Sequence, residues 1–502
     1  MTGEAVLRLR MASPDDADAL YAAGAMAVKQ GLEEEALPVI EAAVERHPAD
    51  PRLWQVLGLA HRLREDLAPA VAAFEKAAAL APANPLIAHS LARSLLEAGL
   101  PAVERFERAL ALAPHNDAVI LGLLAAKFAE GRLDEAIADV EARLAANPAW
   151  LSGQASLSRL RWLKGEREDF TSGFEQAVSR EPRDVLIWRE WADTLIYAER
   201  YDEVLAIVAR GRAAAGDHPI FDGLETIARA EKGETEVADR LFAGLGRIAH
   251  VGMAVRYLRH LLRSGRPAEA GRFGEQWLGD AEAESVWPYM AAAWRLTGDP
   301  RWQALEGDER LVGVYDIADA IPSLGELADR LRAIHHGFGQ PLDQSVRGGS
   351  QTDGPIFSRI EPEIRALRAA IVAAVERHIA RLPAAQRGHP SLIGKRAPVR
   401  FAGSWSVRLT GAGFHANHVH PQGWISSAFY VALPETMGGG EQGWLKLGEP
   451  EATLGLDLAP FRTIEPRPGR LVLFPSTMWH GTLPFAEGER LTVAFDVARP
   501  PQ

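Results

Sequence analysis

A proline recurs every 32 to 34 residues along the first part of the chain, at Pro48, Pro82, Pro114, Pro148 and Pro182. A fixed period of this length is typical of repeat proteins, in which each repeat buries its apolar face only against its neighbours. Because proline cannot continue the helix that precedes it, each of these prolines marks a boundary between helices. The sequence therefore predicts an array of helical repeats.

The segment from Pro51 to Pro82 carries the most complete repeat. The residues at its characteristic positions are Trp54, Leu57, Gly58, His61, Ala70, Phe74, Ala77 and Pro82. The larger of these line one face of a first helix, while the two alanines let a second helix approach and Phe74 fills the gap. This pattern resembles the tetratricopeptide repeat family over about residues 15–215. The resemblance implies a concave groove that takes a peptide or an extended segment.

The domain boundaries follow from changes in this pattern. We predict an all-α tetratricopeptide-repeat solenoid over residues 1–215. Residues 216–305 stay rich in Ala and Leu with helical periodicity but lose the register, which indicates degenerate repeats or a capping section. The residue pattern changes again around Asp308, and we assign residues 306–502 to a third domain.

The third domain combines helices with short strands. Two helices are predicted first, one in GELADRLRAIHHGF and one over about residues 361–382, separated by a polar, Gly-rich stretch that indicates a loop. Short runs with β-branched and aromatic residues, bounded by Gly and Pro, follow and predict strands. These runs are VRFAGSWSVRLT, WISSAFYVALP, GWLKLGEP, RTIEPRPG, RLVLFPS and RLTVAFDVA. Six or more short strands behind two helices favour a β-sandwich or jelly roll.

The composition narrows the chemistry that the chain can perform. None of the 502 residues is cysteine, which excludes disulfides, thiolate nucleophiles, cysteine-ligated zinc and iron–sulfur clusters. Any metal must then be held by histidines and carboxylates. A formal net charge of −12 argues against non-specific binding to nucleic acid or anionic membranes. The sequence shows neither a secretory signal nor a run of 18 apolar residues, so we expect no membrane span and a cytoplasmic protein.

Four of the fifteen histidines lie in the predicted β-region: His415, His418, His420 and His480. Residues i and i+2 of a strand share a face, so His418 and His420 can bind one metal ion, whereas His415 is expected to face away from His418. A third ligand must come from another strand, and His480 follows the predicted strand RLVLFPS after a short loop.

An arginine and a threonine extend this arrangement. Arg490 opens the next predicted strand, and Thr492 lies two residues on, on the same face. Three protein ligands on Fe(II) leave three positions open, enough for the keto acid group of 2-oxoglutarate and for O2. The far carboxylate of 2-oxoglutarate then needs a partner, and a guanidinium fork with a neighbouring hydroxyl fits that role.

Residues of about 340–500 resemble the 2-oxoglutarate–Fe(II) oxygenase family that often follows tetratricopeptide repeats. The matching segments are QSVRGGSQT, SWSVRL, NHVHP with ISSAFYVALP, PGRLVLFPSTMWHGTLP and ERLTVAF. The resemblance implies a double-stranded β-helix in which iron is held by His418, His420 and His480. It also implies that Arg490 and Thr492 hold 2-oxoglutarate, with Tyr430 as a further candidate for a hydrogen bond to it.

One position departs from the broader superfamily. Most members bind iron through His-x-Asp/Glu and a later His, and His420 occupies the carboxylate position here. A neutral ligand thus replaces an anionic one. A carboxylate from elsewhere in the chain could complete the site, and Glu441, Asp457 and Asp496 are the candidates.

These patterns favour a dioxygenase that hydroxylates a side chain of a protein or peptide captured by the repeats. Two alternatives stay open. One is a non-catalytic tetratricopeptide interaction protein with a degenerate oxygenase domain. The other is a cupin-like three-histidine metalloenzyme, because Gly469, Pro475 and His480 keep the cupin spacing, although no Glu follows the His-x-His pair.

Overall fold

The computed structural model describes residues 4–279, 282–336, 342, 344–435 and 437–500. These residues form two compact units, one built from 4–136 and 353–369 and the other from 137–352 and 370–500. The boundaries predicted at residues 215 and 305 stay a prediction. No helix among the described residues has the length and apolar character needed to cross a membrane.

The first unit is built from helical hairpins. Its helices are α1 (Glu4–Met11), α2 (Ala17–Lys29), α3 (Glu33–Arg46), α4 (Pro51–Leu63), α5 (Leu67–Leu80), α6 (Pro85–Glu97), α7 (Val103–Leu112) and α8 (Asp117–Ala129). In the repeat formed by α4 and α5, Ala70, Phe74 and Ala77 are buried. A Cβ atom on Gly58 would lie only 2.8 Å from the Phe74 ring. The prediction that Phe74 fills the gap between the two helices, beside the small Ala70 and Ala77, is confirmed.

The periodic prolines lie in the turns between helices, as predicted. Several of these turns end with an Asp or Asn that caps the following helix. Asp50 accepts a hydrogen bond from the backbone N–H of Arg52, Asn84 caps α6 and Asn116 caps α8 in the same manner. The proline ends one helix and the residue two positions later starts the next, so each boundary is encoded locally.

The second unit continues the helical pattern. Its helices are α9 (Leu133–Ala146), α10 (Leu151–Lys164), α11 (Gly173–Arg180), α12 (Val185–Tyr197), α13 (Tyr201–Ala215), α14 (Pro219–Glu231), α15 (Thr235–Gly244), α16 (Val251–Arg263), α17 (Pro267–Glu275), α18 (Trp287–Thr297), α19 (Arg301–Glu306), α20 (Leu324–Ala333) and α21 (Pro362–Arg381). The first residues of α9 and α21 belong to the first unit by the division above. Both helices predicted before the strands are confirmed, as α20 and α21.

The described strands of the second unit form two antiparallel sheets. They are β1 (Gly313–Asp316), β2 (Val346–Gln351), β3 (Phe401–His415), β4 (Ile425–Ala432), β5 (Leu445–Leu447), β6 (Arg462–Ile464), β7 (Arg470–Pro475), β8 (His480–Thr482) and β9 (Glu489–Val497). The larger sheet has the order β1-β7-β4-β9-β3-β2, and the smaller one has the order β6-β5-β8.

The prediction of a loop between the two helices is wrong in part, because this stretch contains β2. This strand pairs with β3 despite its composition, and the register shifts between Arg347 and Gly349. Gly348, with φ +72°, takes a backbone conformation at this bulge that other residues rarely adopt. The polar, Gly-rich sequence has little strand propensity, so pairing with the long β3 decides the structure here.

Helices α16 to α18 pack against the part of the sheet region that precedes His480. Trp479 is buried with Leu454 in one apolar cluster with these helices. Its indole Nε1 donates a hydrogen bond to the carbonyl oxygen of Pro288 at 3.0 Å, and its ring meets Tyr289 edge-on at 5.6 Å. The helical region therefore fixes the residue that comes directly before a predicted metal ligand.

Glu306, at the end of α19, makes stability depend on pH. Burial raises the pKa of its carboxyl group from 4.5 to about 7, although Arg295 and a hydrogen bond from Trp302 oppose the shift. A carboxyl that binds its proton more tightly in the folded state stabilises the fold at low pH. That contribution is lost as the pH rises from about 4.5 through about 7. We expect Glu306→Gln to raise the free energy of unfolding by about 1–3 kcal/mol near pH 8 and to flatten its pH dependence.

The measurement for Glu306 is chemical or thermal unfolding at several pH values. The matched control is Glu309→Gln, because Glu309 is exposed and only three residues away. A wild-type stability that does not fall between about pH 5 and pH 8 relative to Glu306→Gln would contradict the assignment.

Candidate metal centre

The three predicted histidine ligands are brought together by backbone hydrogen bonds. His418 and His480 exchange N–H···O bonds of 2.9 and 3.0 Å as an isolated antiparallel bridge. The backbone N–H of His420 donates to the carbonyl oxygen of Ser476 at 2.9 Å. The expectation that His418 and His420 lie on a regular strand is wrong, because β3 ends at His415. Pairing with the segment that leads into β8 holds them instead.

Each of the three rings has one nitrogen engaged by an acceptor. His418 Nδ1 lies 2.8 Å from the carbonyl oxygen of Ala416, and His480 Nδ1 lies 3.0 Å from that of Met478. His420 Nδ1 lies 2.8 Å from Asp496 Oδ1. An acceptor at Nδ1 fixes the tautomer that carries its proton there, which leaves the lone pair on Nε2 for a metal.

The donor set fits a transition metal. One ring nitrogen from each histidine lies within 4.8 Å of those of the other two. Burial, and then the neighbouring histidines, lower the pKa of His418 and of His480 well below the usual range. Both imidazoles are therefore neutral, which is the form that binds metal. Three imidazole nitrogen donors suit divalent iron and its neighbours in the first transition row.

None of the three candidate carboxylates belongs to this cluster among the described residues. Glu441 accepts a hydrogen bond from Thr463 Oγ1 on the exposed surface, and Asp457 is exposed. Asp496 contacts a ligand from behind, at His420 Nδ1. The cluster is thus an all-imidazole set.

His415 lies at the same cavity, contrary to the expectation from strand alternation. Its ring centroid is 6.2 Å from that of His418, and its Nδ1 lies 3.1 Å from Ser345 Oγ. Burial, and then the nearby charge of Arg490, lower the pKa of His415 to about 3. Alternation fails because β3 ends at His415, so residues 416–418 do not continue the regular strand on which the expectation relied.

The cavity between the histidines and β9 has a volume of about 40 Å³, enough for a water molecule. Arg490 and Thr492 both line this cavity. The two side chains therefore share a face of β9, as predicted. The residues around the cavity are Gln344, Ser345, Gln351, Trp405, His415, His418, His420, Ser427, Ala428, Leu445, His480, Gly481, Thr482, Arg490, Thr492 and Ala494. Tyr430 is not among them. Its ring instead lies 5.1 Å from the Arg490 guanidinium.

Arg490 is a buried cation without a counterion among the described residues. Its side chain is 1% exposed, and its Nη1 donates to the carbonyl oxygen of Gly443 at 2.8 Å. Its Nε and the hydroxyl of Tyr430 are both buried without a hydrogen-bond partner. Burial lowers the pKa of Arg490, which reflects the cost of this charge. Isolated buried charges are costly, so the arrangement fits a site for an anionic ligand.

A larger cleft of about 590 Å³ adjoins the histidine cavity, and the two share Gln344, Ser345, His415, His418 and Thr482 in their walls. The opposite wall comes from the helical repeats of the same unit. It includes Trp162 at the end of α10 and Tyr197 at the end of α12. Residues of the helical repeats and two of the clustered histidines therefore border the same cleft.

Two family models match the sequence. A tetratricopeptide repeat model matches residues 51–84, and the model described as "Putative 2OG-Fe(II) oxygenase" matches residues 403–496. The second span contains all three predicted histidine ligands together with Tyr430, Arg490 and Thr492. No curated protein matches the sequence significantly.

Solved structures with similarity include both helical-repeat proteins and an oxygenase. YrrB, a TPR protein with an unusual peptide-binding site, is 19% identical, with a TM-score of 0.30 over 37% of this chain and 97% of its own. MamA from Desulfovibrio magneticus RS-1 is 20% identical, with a TM-score of 0.30 over 34% and 99%. A Pseudomonas putida prolyl-4-hydroxylase is 18% identical, with a TM-score of 0.27 over 39% and 98%. TM-scores this low transfer no activity to this chain.

Proposed function

We propose that this chain, with its tetratricopeptide repeat and its 2OG–Fe(II) oxygenase domain, is an Fe(II)- and 2-oxoglutarate-dependent dioxygenase that hydroxylates a side chain of a protein or peptide. The observation that carries the proposal is one cavity with two complementary parts. Three imidazole nitrogens converge on one side of it, and the unpaired guanidinium of Arg490 lies on the other. The first part suits a metal and the second an anion.

In this proposal His418, His420 and His480 hold the iron. When bound with 2-oxoglutarate and O2, iron supplies the oxidising chemistry that converts a C–H bond to C–OH while 2-oxoglutarate becomes succinate and CO2. Arg490 binds the far carboxylate of 2-oxoglutarate, and Thr492 adds a hydroxyl contact. The Tyr430 ring supports the guanidinium, and its buried hydroxyl has hydrogen-bonding capacity to spare. Leu445, Ala428 and Ala494 keep the cavity narrow and poor in water.

We assign the sheet region to the double-stranded β-helix fold. A small and a large antiparallel sheet contribute opposite walls of the cavity, with Leu445, His480 and Thr482 from one and Arg490, Thr492 and Ala494 from the other. A cavity lined by residues from both sheets supports the assignment.

The cleft supports a polypeptide substrate. Its volume of about 590 Å³ exceeds what a single small side chain needs, and its walls carry aromatic rings and charges of both signs. Arg167, Arg347 and Lys446 provide positive charge, and Glu199 and Glu449 provide negative charge. A peptide lying along the ends of α10 and α12 would present one side chain to the metal cavity through the junction at His415.

The test is turnover of 2-oxoglutarate by protein loaded anaerobically with Fe(II). We expect succinate to form on exposure to O2 only when both Fe(II) and 2-oxoglutarate are present, even without the main substrate. Iron binding without any response to 2-oxoglutarate would instead favour a cupin-like three-histidine enzyme. Absence of metal binding would favour a non-catalytic interaction protein.

A further inference from the structure

Asp496 lies behind one of the three ligands, on β9. Its side chain is 11% exposed, and the residue pairs with Ser426 across the sheet. Asp496 Oδ1 accepts from the Ser426 hydroxyl at 2.5 Å and lies 2.8 Å from His420 Nδ1. Ser426 Oγ in turn lies 2.9 Å from Ser476 Oγ. The carboxylate is therefore held in place from several sides.

No lysine or arginine forms an ion pair with Asp496 in the described part of the chain. The imidazole of His420 is the one ring that can donate a proton to its carboxylate or carry a positive charge beside it. The three ligands are unequal in this respect. His418 and His480 face neutral carbonyl oxygens, whereas His420 faces an ionisable carboxylate. His420 is also the ligand at the position where a carboxylate would bind the metal directly in the broader superfamily.

A carboxylate on the outer nitrogen of a ligating imidazole has two effects. It fixes ring orientation and tautomer, and it makes the inner nitrogen a stronger donor because negative charge is shared across the N–H···O bond. It also brings one negative charge close to the metal without entering the coordination shell. A dication bound by three neutral ligands benefits from that charge in a site of low polarity.

We propose that Asp496 is the positioning residue of the metal centre, which supplies through His420 the negative charge that a direct carboxylate ligand would otherwise provide. This inference rests on the metal site of the proposed function but not on its substrate or its reaction. The Ser426 hydroxyl, itself in contact with Ser476, holds Asp496 in the required position. The arrangement thus keeps a carboxylate in the site, one hydrogen bond further from the metal.

Asp496→Asn tests the charge with little change in shape. The asparagine oxygen can still accept from His420 Nδ1, so the ring orientation is kept while the charge is removed. We expect the affinity for Co(II), and for Fe(II) under anaerobic conditions, to fall by about 10- to 100-fold in titration calorimetry. The visible spectrum of bound Co(II) is expected to shift as well. Asp496→Glu should recover part of the affinity.

The control is Asp457→Asn, which removes an exposed carboxylate of the same region and should leave metal affinity unchanged. Thermal unfolding of the metal-free proteins shows whether Asp496→Asn is folded. If it is not, Ser426→Ala, which removes only the hydroxyl that holds Asp496, should show a smaller loss of affinity than His480→Ala. Wild-type affinity and an unshifted Co(II) spectrum in Asp496→Asn would overturn this inference and leave the proposed function standing. A wild-type protein that binds no metal would overturn the proposed function and this inference with it.

Discussion

Replacing His480 with alanine is expected to abolish metal-dependent succinate formation and to lower divalent metal affinity by at least about 100-fold. His480 is buried, and its backbone bridge to His418 joins two of the three ligands. Its removal leaves two imidazoles on one short segment, which cannot enclose a metal ion from more than one side. Because the backbone hydrogen bonds do not depend on the side chain, we expect the fold to persist.

The measurement for His480 combines calorimetry with Co(II) and a succinate assay with Fe(II). The matched control is His250→Ala, an identical substitution at an exposed position before α16. Unchanged turnover in His480→Ala, with His250→Ala also active, would refute the metal assignment.

Arg490→Met should weaken the binding of 2-oxoglutarate without lowering the stability of the protein. We expect the half-saturating concentration of 2-oxoglutarate to rise by about 100-fold, as for loss of a buried charge pair worth about 3 kcal/mol. The midpoint of thermal unfolding of the metal-free protein should stay the same or rise. This second expectation follows because the substitution removes a buried guanidinium whose Nε has no partner.

Arg467→Met is the matched control, since this arginine of the same region is exposed and pairs with Glu465. It should leave both quantities unchanged. A cupin-like enzyme would instead tolerate Arg490→Met without any change in turnover. A large loss of stability in Arg490→Met would show that the guanidinium serves the fold and not a ligand.

The sequence indicated the residue types of the site better than their arrangement. Strand alternation correctly placed Arg490 and Thr492 on one wall, because β9 is regular through both positions. The same rule misplaced His415 relative to His418, because β3 ends at His415 and the residues between the two histidines do not form a regular strand. The assignment of His418 and His420 as metal ligands stays a prediction. Their rings converge with the ring of His480, although the two residues do not lie on the regular strand that the rule assumed.

The repeats were predictable for a local reason. A proline turn followed by an Asp or Asn cap defines where a helix stops and the next starts, and small residues at fixed spacing let the two helices pack. The strand β2 was not predictable, because its stability comes from pairing with β3, which lies more than 50 residues away in the chain.

The helical repeats, most strands and the exclusion of cysteine-based chemistry could be inferred from the amino-acid sequence alone, since periodicity, turn residues and composition act locally. The position of Asp496 became visible in the three-dimensional structure, since the sequence offered it as a candidate direct ligand and its carboxylate instead contacts Nδ1 of His420. The tertiary structure also decided that His415 joins the cavity and that Arg490 has no carboxylate partner among the described residues. Charge compensation and cavity walls depend on which distant strands meet, and no local pattern encodes that.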